Sequence, residues 1–502
     1  MEKALYEQIL EEAGGKVSEY HLYHNSLEIR HQRNRDRITD APSKEILVPE
    51  HWSVDKKHNP FYVVKRARQI AKSVSKKILN GTYEPQQPFQ RLIPKKGGGL
   101  RPVNIYQLQD AAVSDLFYNN LLAKNRHRFS SLSYAYRNDR NVHFAIQDVA
   151  LEFKLAPRFY IAEFDFSNFF GAIDHAYLFR QARENGFLIS VKEEEIIKAF
   201  LRPFNGKGIP QGTSISLFLA NMICWRLDRK FEEVGLRFAR YADDTIVWSN
   251  DYGKIGKAFN IISDFSKDSG IDINFDKSDG ISLMQREKMP GEFKKIKTFI
   301  EFLGYKISID KVSIKHKSVL KIKKQISYLL YRNLIQPIQG LPFRGMNFPA
   351  NDRDKDFLRA IRQIRRYLYG NLTERTLQNV LSGGYRRLIF KGLMSFYPLL
   401  DDEEQLRDLD KWMVSTILKV LHRRLSLFHA HGHTQISGSR FPFNCSSLDL
   451  IPRCLETPAS GNRGTYQIPS FLRIYRVIKL GLQNEGIEWV MSQESPSYNY
   501  DD

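Results

Sequence analysis

Three aspartates are the residues in this chain best placed to do chemistry. Asp243 and Asp244 are adjacent in "RFARYADDTIVW", residues 237–248, inside an apolar pattern that reads as a β-hairpin. Asp is a poor strand former, and neighbouring carboxylates repel each other. A solvated turn would account for the pair. So would a divalent cation, but that reading requires another acid at the end of a neighbouring strand. Asp165 in "FYIAEFDFSNFFGAIDH" meets the requirement, because an apolar strand gives way to a turn there. Carboxylates from separate parts of a chain, converging on two cations about 3.5–4 Å apart, form a two-metal phosphoryl-transfer site. Asp174, nine residues past Asp165, is expected to cap or start the next helix. Glu163 shares the strand face of Asp165 and reads as a supporting or surface residue rather than a ligand.

Two further segments could serve such a site. "GKGIPQGTSISLFLAN" sets Gly206, Gly208 and Gly212 around Pro210 and Gln211, ahead of a helix. It reads either as a loop with an N-cap at Thr213 or Ser214, or as a strap whose glycines let backbone approach a base pair. "RLIPKKGGGLRPVNIY" offers Lys95, Lys96, three glycines and Arg101. Taken alone it is a basic turn on a solvated hairpin. Opposite a metal site, its cations could hold a triphosphate.

The elements that must position these residues belong to a chain of 502 residues, enough for several domains. Lys and Arg number 76 against 56 Asp and Glu, a formal charge of +20 that favours a polyanionic partner, nucleic acid before anionic membrane. No uninterrupted apolar run is long enough to cross a bilayer, so no membrane partner is expected. The opening "MEKALYEQILEEAGG" is acidic and amphipathic, unlike a signal peptide. Cys224, Cys445 and Cys454 are too few and too scattered for a disulfide framework, and the expected location is cytoplasmic. Residues 1–85 read as a helical, basic extension, with "HNSLEIRHQRNRDR" as its basic stretch. From 86 to 310, short strands ("RFYIAEFDF", "LRFARYA", "TIVWS" and the run 299–309) alternate with helices such as "SISLFLANMICWRLDRKFEEV". Helical patterns dominate 311–400 and 401–502, interrupted by the loop-like "QPIQGLPFRGMNFPAND" and ending in a loose polar tail. Leu406, Leu409, Met413, Ile417, Val420 and Leu421 form a core-facing stripe.

Order and spacing then point to a family. "IPKKGGGLRP", "SSLSYAYRNDR", "FDFSNFFGAID", "GIPQGTSISLFLAN", "RYADD", "INFDKS" and "FLGYKI" follow one another as the sequence blocks of reverse transcriptases do. The resemblance covers about residues 88–310 and is to bacterial enzymes, the group that includes group II intron, retron and abortive-infection types. The long helical C-terminal part, without an endonuclease or maturase signature, is similar to the phage-defence members. The fold implied is α+β: a right-hand polymerase with fingers and palm, the palm sheet ferredoxin-like, followed by an α-helical thumb and a C-terminal helical extension.

The resemblance also implies roles. Asp165, Asp243 and Asp244 become the catalytic acids, and with the Phe166 carbonyl they hold two Mg²⁺ ions, for which Mn²⁺ can substitute. One ion activates the primer 3′-hydroxyl and the other neutralises the leaving pyrophosphate. Phe170 matches the gate beneath the sugar. Lys95 and Arg101 match the triphosphate grip, with Lys96 an alternative to Lys95. Gln211 and Gly212 match the block on the nascent pair, although Ser216-Leu217 stands where the family has Ser-Pro. Lys277 matches the lysine that protonates pyrophosphate, with a plain surface lysine as the other reading. Phe302, Leu303, Gly304 and Tyr305 match the primer grip. The implied partners are an RNA template, structured and non-coding, together with a DNA product and deoxynucleotides; a homo-oligomer is compatible with the chain.

"KVSIKHKSVLKIKKQ" and "RAIRQIRRYLYG" are basic helical segments suited to a duplex backbone, a binding mode that weakens steeply with salt. His429, His431 and His433 lie near Cys445 and Cys454 in sequence, but their spacing fits no common zinc pattern. Tyr498 and Tyr500 lie in the tail, where a phenol could prime synthesis; a loose tail is the favoured reading. Competing functions are a mobile-element enzyme of intron or retron type and an inactive nucleic-acid-binding scaffold.

An aromatic ring below the ribose leaves no room for a 2′-hydroxyl. Phe170→Ala is therefore expected to raise ribonucleotide incorporation relative to deoxynucleotides in a competition assay. An unchanged preference would place the gate elsewhere.

Overall fold

The computed structural model describes residues 1–35, 43–94, 98–291, 293–339, 354–434, 438, 441–455 and 467–490, and its strands form three sheets. β1 (Phe89–Pro94) and β2 (Leu100–Ile105) make an antiparallel hairpin, most of whose described side chains face solvent on β1. β3 (Arg158–Phe164), β4 (Arg237–Tyr241), β5 (Asp244–Ser249), β6 (Asp279–Gln285) and β7 (Ile296–Lys297) form the main sheet, in the order β4-β5-β3-β6-β7. β8 (Phe299–Phe302), β9 (Tyr305–Ser308) and β10 (Val312–Ile314) form the third.

The chain divides into two compact units, residues 1–25 with 46–298 and residues 26–45 with 299–502. This division falls between Thr298 and Phe299 rather than at 310, and it gathers the two C-terminal stretches read separately from sequence into one unit.

In the first unit β3 occupies the centre of the sheet, antiparallel to both β5 and β6. Such a strand must be apolar on both faces, and "RFYIAEF" is, with Phe159, Ile161, Ala162 and Phe164 all buried. On one face Phe164 and, just beyond the strand, Phe166 pack against Phe259 and Phe265 of the helix Tyr252–Ser269, ring centroids 5.0 and 5.5 Å apart. On the other face Phe153, ending the helix Val142–Phe153, covers Phe159 and Trp248 at 4.6 and 5.5 Å. That cover lies toward the start of β3 and leaves the end near Glu163 more open.

The helical run before β4 is two helices, Ser214–Ile223 and Trp225–Glu233, parted at Cys224, where the periodicity predicts one. Asp174 caps the helix His175–Glu184 as expected, accepting from the Tyr177 N–H at 2.7 Å.

In the second unit, the run 299–309 is a hairpin rather than one strand. Leu303 and Gly304 both have positive φ, +49° and +87°, which is the signature of a type I′ turn and closes Phe302 against Tyr305. The long helix Glu403–Ala430 buries Leu406, Leu409, Met413, Ile417 and Leu421, as the stripe predicts. Val420 is only half-buried, and Val414 is buried in its stead. The core also takes Arg424, fully buried, whose guanidinium bonds Asp354 and Asp356 at the start of the helix Lys355–Tyr369. Most of "QPIQGLPFRGMNFPAND", from Gly340 on, lies outside the described residues, as do Tyr498 and Tyr500.

The first helix docks on the first unit partly through a shared proton. Glu12 hydrogen-bonds Asp115 of the helix Leu108–Asn125, and Asp115 also accepts from Ser214 Oγ. Burial first, then the Asp115 hydrogen bond and charge, push the Glu12 carboxyl up to about 7, while Lys16 opposes them. A folded carboxyl with a raised pKa holds its proton where the unfolded chain has lost it. Its contribution is therefore present at low pH and is lost as pH rises from the ordinary Glu range toward 7. Glu12→Gln is expected to reduce the fall in Tm between pH 5 and 8. A fall as steep as in the unmodified protein would show that the pair is not the titrating element.

Candidate active site

The acids reach one place through strand register. Tyr160 to Phe164 on β3 pair with Ser249 to Thr245 on β5, and Phe164 faces Thr245. Asp165 follows the last residue of β3, and Asp244 is the first residue of β5. Asp243 belongs to the two-residue turn between β4 and β5, which Tyr241 and Asp244 close as a pair. Ala242, the first turn residue, has φ +61°, a conformation that normally calls for glycine in a hairpin turn. A residue with a side chain held there stores on the order of 1–3 kcal/mol, strain that persists only where the surroundings enforce it.

Asp165 is fixed from the β6 side. Its carbonyl accepts from the Asn274 N–H at 2.9 Å, and its Oδ2 accepts from Asn274 Nδ2 at 3.1 Å. Its own N–H donates to Ser278 Oγ at 3.1 Å. Lys277 Nζ lies 3.2 Å from Asp165 Oδ2, with the lysine side chain 70% exposed. The lysine is thus at the acids, and it remains on the surface as well.

Phe166 forms a lone antiparallel bridge with Ile273, flanked by Ser167 N–H to Asp272 O and Asn274 N–H to Asp165 O. In that pattern the flanking residues make the bonds, so the N–H and C=O of Phe166 itself turn away from the 272–274 segment. The Phe166 carbonyl is thereby available on the side where β5 begins.

This donor set fits a hard divalent cation: two or three carboxylates and a backbone oxygen, all oxygen, at one end of one sheet. Among the described residues no group of three or more His, Cys, Asp or Glu side chains is placed so as to hold a metal ion by itself. An open set is what substrate-bridging Mg²⁺ uses, since the ion keeps water and phosphate oxygens in its shell. Glu163 stands apart from this group. It pairs with Lys297, which also pairs Asp279, so its role is to tie β3 to the β6–β7 edge. The hydrogen bond from Lys297 keeps Asp279 below the usual carboxylate range.

Phe170 is partly buried, its ring 5.7 Å from that of Phe169, which is in the core. The Phe170 carbonyl accepts from the Ile209 N–H at 2.8 Å, so the Gly-rich segment lies directly against it. Gln211 and Gly212 follow, and their immediate neighbour is β2. Asn104 N–H donates to Gln211 O at 3.3 Å. A Cβ on Gly212, whose φ is +109°, would lie 2.3 Å from Asn104 O. The close approach that this glycine permits is therefore to the β1–β2 hairpin, not only to a base pair. Thr213 is the N-cap of Ser214–Ile223, but its hydroxyl bonds Ser216 Oγ at 2.8 Å rather than a backbone N–H.

Lys95 and Lys96 lie outside the described residues, and Arg101 is placed by its backbone alone, opposite Ile93. Phe302 and Tyr305 are buried in the second unit, the Tyr305 hydroxyl donating to Phe396 O at 2.7 Å. They act there by packing, with Leu303 and Gly304 at the hairpin tip. His431 Nε2 lies 2.6 Å from the Ile338 carbonyl, so this ring is engaged with backbone.

Sequence reading passed over what lies beneath the acids. Arg240 and Asp228, 0% and 1% exposed, form a two-pronged pair under the turn. Cys224 is buried nearby. Burial pushes its thiol up to about 12; Arg240 opposes that, and Asp228 and Asp243 reinforce it. The available signal was an arginine in a strand of otherwise apolar pattern, a charge that burial would force to find a partner.

Residues 93–329 match the profile of the family described as reverse transcriptase (RNA-dependent DNA polymerase). The Escherichia coli (strain K12) protein YkfC is 28% identical over 184 residues, 34% of this chain and 48% of YkfC. The group II intron-encoded protein LtrA of Lactococcus lactis subsp. cremoris is 26% identical over 185 residues, 35% of this chain and 30% of LtrA. The matches thus span about half of one relative and under a third of the other. Among solved structures, telomerase from Candida albicans in complex with a TWJ fragment of telomeric RNA is similar at a TM-score of 0.35 and 12% identity, over 75% of this chain and 68% of that one. Apo telomerase from Candida tropicalis is similar at a TM-score of 0.36 and 12% identity, over 75% and 73%. The segment 93–329, which holds every catalytic, metal-binding and nucleotide-binding candidate, matches a reverse transcriptase domain and is similar to bacterial proteins.

Gly212→Ala is expected to drive β2 from the Gln211 segment and to lower polymerase activity, while far-ultraviolet circular dichroism stays unchanged. Activity equal to that of the unmodified chain would show that the contact with Asn104 is dispensable.

Proposed function

We propose that this chain is an RNA-directed DNA polymerase that extends a primer by two-metal nucleotidyl transfer. What supports the reading is that Asp165 directly follows β3 while Asp243 and Asp244 stand in the turn before β5 and at its start, β5 being paired with β3. Two Mg²⁺ ions, or Mn²⁺ in their place, would be held by these groups and would supply charge neutralisation and an acidified primer hydroxyl. Asn274 and Ser278 keep Asp165 facing the site, and Phe170 limits the space beneath the sugar. Lys277, exposed and already at Asp165, can exchange that partner for the leaving pyrophosphate and deliver a proton. Arg101 with Lys95 or Lys96 would hold the triphosphate from the β1–β2 hairpin. The helices His316–Leu330 and Lys355–Tyr369, rich in Lys and Arg, would follow the backbone of the nucleic acid.

The biological setting we favour is antiviral (anti-phage) defence in the cytoplasm, with a dedicated structured RNA as template. What supports this is the resemblance of the long helical C-terminal part to the phage-defence members. A mobile-element role is the second reading, favoured by the similarity to a group II intron-encoded protein.

Primer extension on an RNA template with deoxynucleotides tests the activity. Asp243→Asn should lower the rate by more than about 100-fold, the upper range for losing a group that only supports a metal ligand. No extension by the unmodified chain with any divalent cation would leave the inactive-scaffold reading standing. Sequencing of RNA and DNA co-purified with the protein separates the two settings: one recurrent structured RNA supports defence, and intron RNA supports the mobile element.

A further inference from the structure

Arg240 touches none of the groups that would react, and yet every donor of its guanidinium is committed around the turn that carries Asp243. Nε donates to Asp228 Oδ1 at 2.7 Å, and Nη2 to Asp228 Oδ2 at 2.6 Å. Nη2 also donates to Ser133 Oγ at 2.7 Å. Nη1 donates to Asn221 Oδ1 at 3.3 Å and to the Ala242 carbonyl at 3.1 Å. Its backbone is held as firmly: Arg240 N–H donates to Leu132 O, and Tyr134 N–H donates to Arg240 O, both at 3.0 Å. Asn221 in turn donates to Ala135 O at 2.7 Å. Four separate segments, 132–135, Ser214–Ile223, Trp225–Glu233 and the β4–β5 turn, therefore meet at one buried cation.

The bond to the Ala242 carbonyl has a specific consequence. That carbonyl belongs to the peptide between Ala242 and Asp243, the central peptide of the two-residue turn. Type I′ and type II′ turns differ by a flip of the central peptide, and Asp243 follows any such flip because its N–H is the other half of that peptide. With Ala at φ +61°, the turn is held where an L-residue resists being. From this arrangement we infer that Arg240, anchored by Asp228, is a positioning residue. Its Nη1 bond to the Ala242 carbonyl keeps the strained turn in the one peptide orientation that aims the Asp243 carboxylate at the metal ions.

The inference rests on the proposed polymerase reading for its consequence, and a plain structural role for the ion pair is the competing account. Lysine at 240 keeps the charge but has one nitrogen, which cannot fork onto Asp228 and also reach the Ala242 carbonyl. Glycine at 242 accepts the positive φ without help. The two changes together therefore separate turn-holding from core-holding.

The test measures Mn²⁺ affinity by electron paramagnetic resonance titration, the Mg²⁺ dependence of primer extension, and Tm. The chains compared are the unmodified protein, Arg240→Lys, Asp228→Asn and Arg240→Lys with Ala242→Gly. Asp228→Asn retains the arginine and the side-chain volume, so it serves if Arg240→Lys does not fold. Either single variant should weaken Mn²⁺ binding and raise half-saturating Mg²⁺ by about 10-fold or more, as loss of a group supporting a metal ligand does. KM for template-primer should stay within about twofold, as expected when ground-state binding of substrate is untouched. Adding Ala242→Gly should restore most of the metal affinity while leaving Tm at its lowered value. Unchanged metal dependence in a folded variant, or a glycine that restores nothing, overturns the inference in favour of a purely structural pair. If the unmodified chain extends no primer, the polymerase reading fails and the Mn²⁺ titration alone decides the role of Arg240. If the unmodified chain also binds no Mn²⁺, both fall.

Discussion

The pairing of β3 with β5 is the constraint on which the candidate site depends. Asp165 comes directly after β3 and Asp244 opens β5, with Asp243 in the adjoining turn. Nothing in local propensity favours that arrangement. The strand before Asp165 is buried on both faces over most of its length, and its place is fixed by which ring packs where: Phe159 against Phe153 on one face, Phe164 against Phe259 on the other. The packing of Phe164 and Phe166 against the helix Tyr252–Ser269 thus holds the sheet beneath the proposed site.

Buried charge appears in both units in the same form. Arg240 forks onto Asp228 in the first, and Arg424 bonds Asp354 and Asp356 in the second. Such pairs are poor evidence of stability, because desolvating both partners offsets much of their attraction. Their value is geometric: a planar guanidinium dictates where several backbone and side-chain acceptors must lie. In the second unit the acceptors include the Asp354 carboxylate that caps the helix Lys355–Tyr369, so the arginine sets where that basic helix begins.

The contact between Gly212 and Asn104 works in a similar way with no charge involved. Two polar backbone segments come close enough that even a methyl group is excluded. The hairpin that would carry the triphosphate grip is thereby referenced to the segment bearing Gln211 and, through Ile209, to Phe170. Positions that sequence blocks present as separate are parts of one mechanically continuous wall.

The sequence by itself determined which residues are candidates for the site and the type of most elements around them. The acids stand at strand ends, the blocks occur in a recognisable order, and apolar periodicity marked β3, β4, β5 and the long helix Glu403–Ala430. Those are local properties, carried by residue type and spacing. What only the tertiary structure decided depends on groups far apart in the chain. The break at Cys224 and the hairpin at Leu303-Gly304 arise where packing overrides a continuous apolar pattern. The pairing of β3 with β5, the neighbour that crowds Gly212, and the burial of Arg240 and Arg424 cannot be inferred from spacing, because a charge looks the same in sequence whether it ends in water or in a core. Desolvation is what separates those two fates, and it depends on the whole fold.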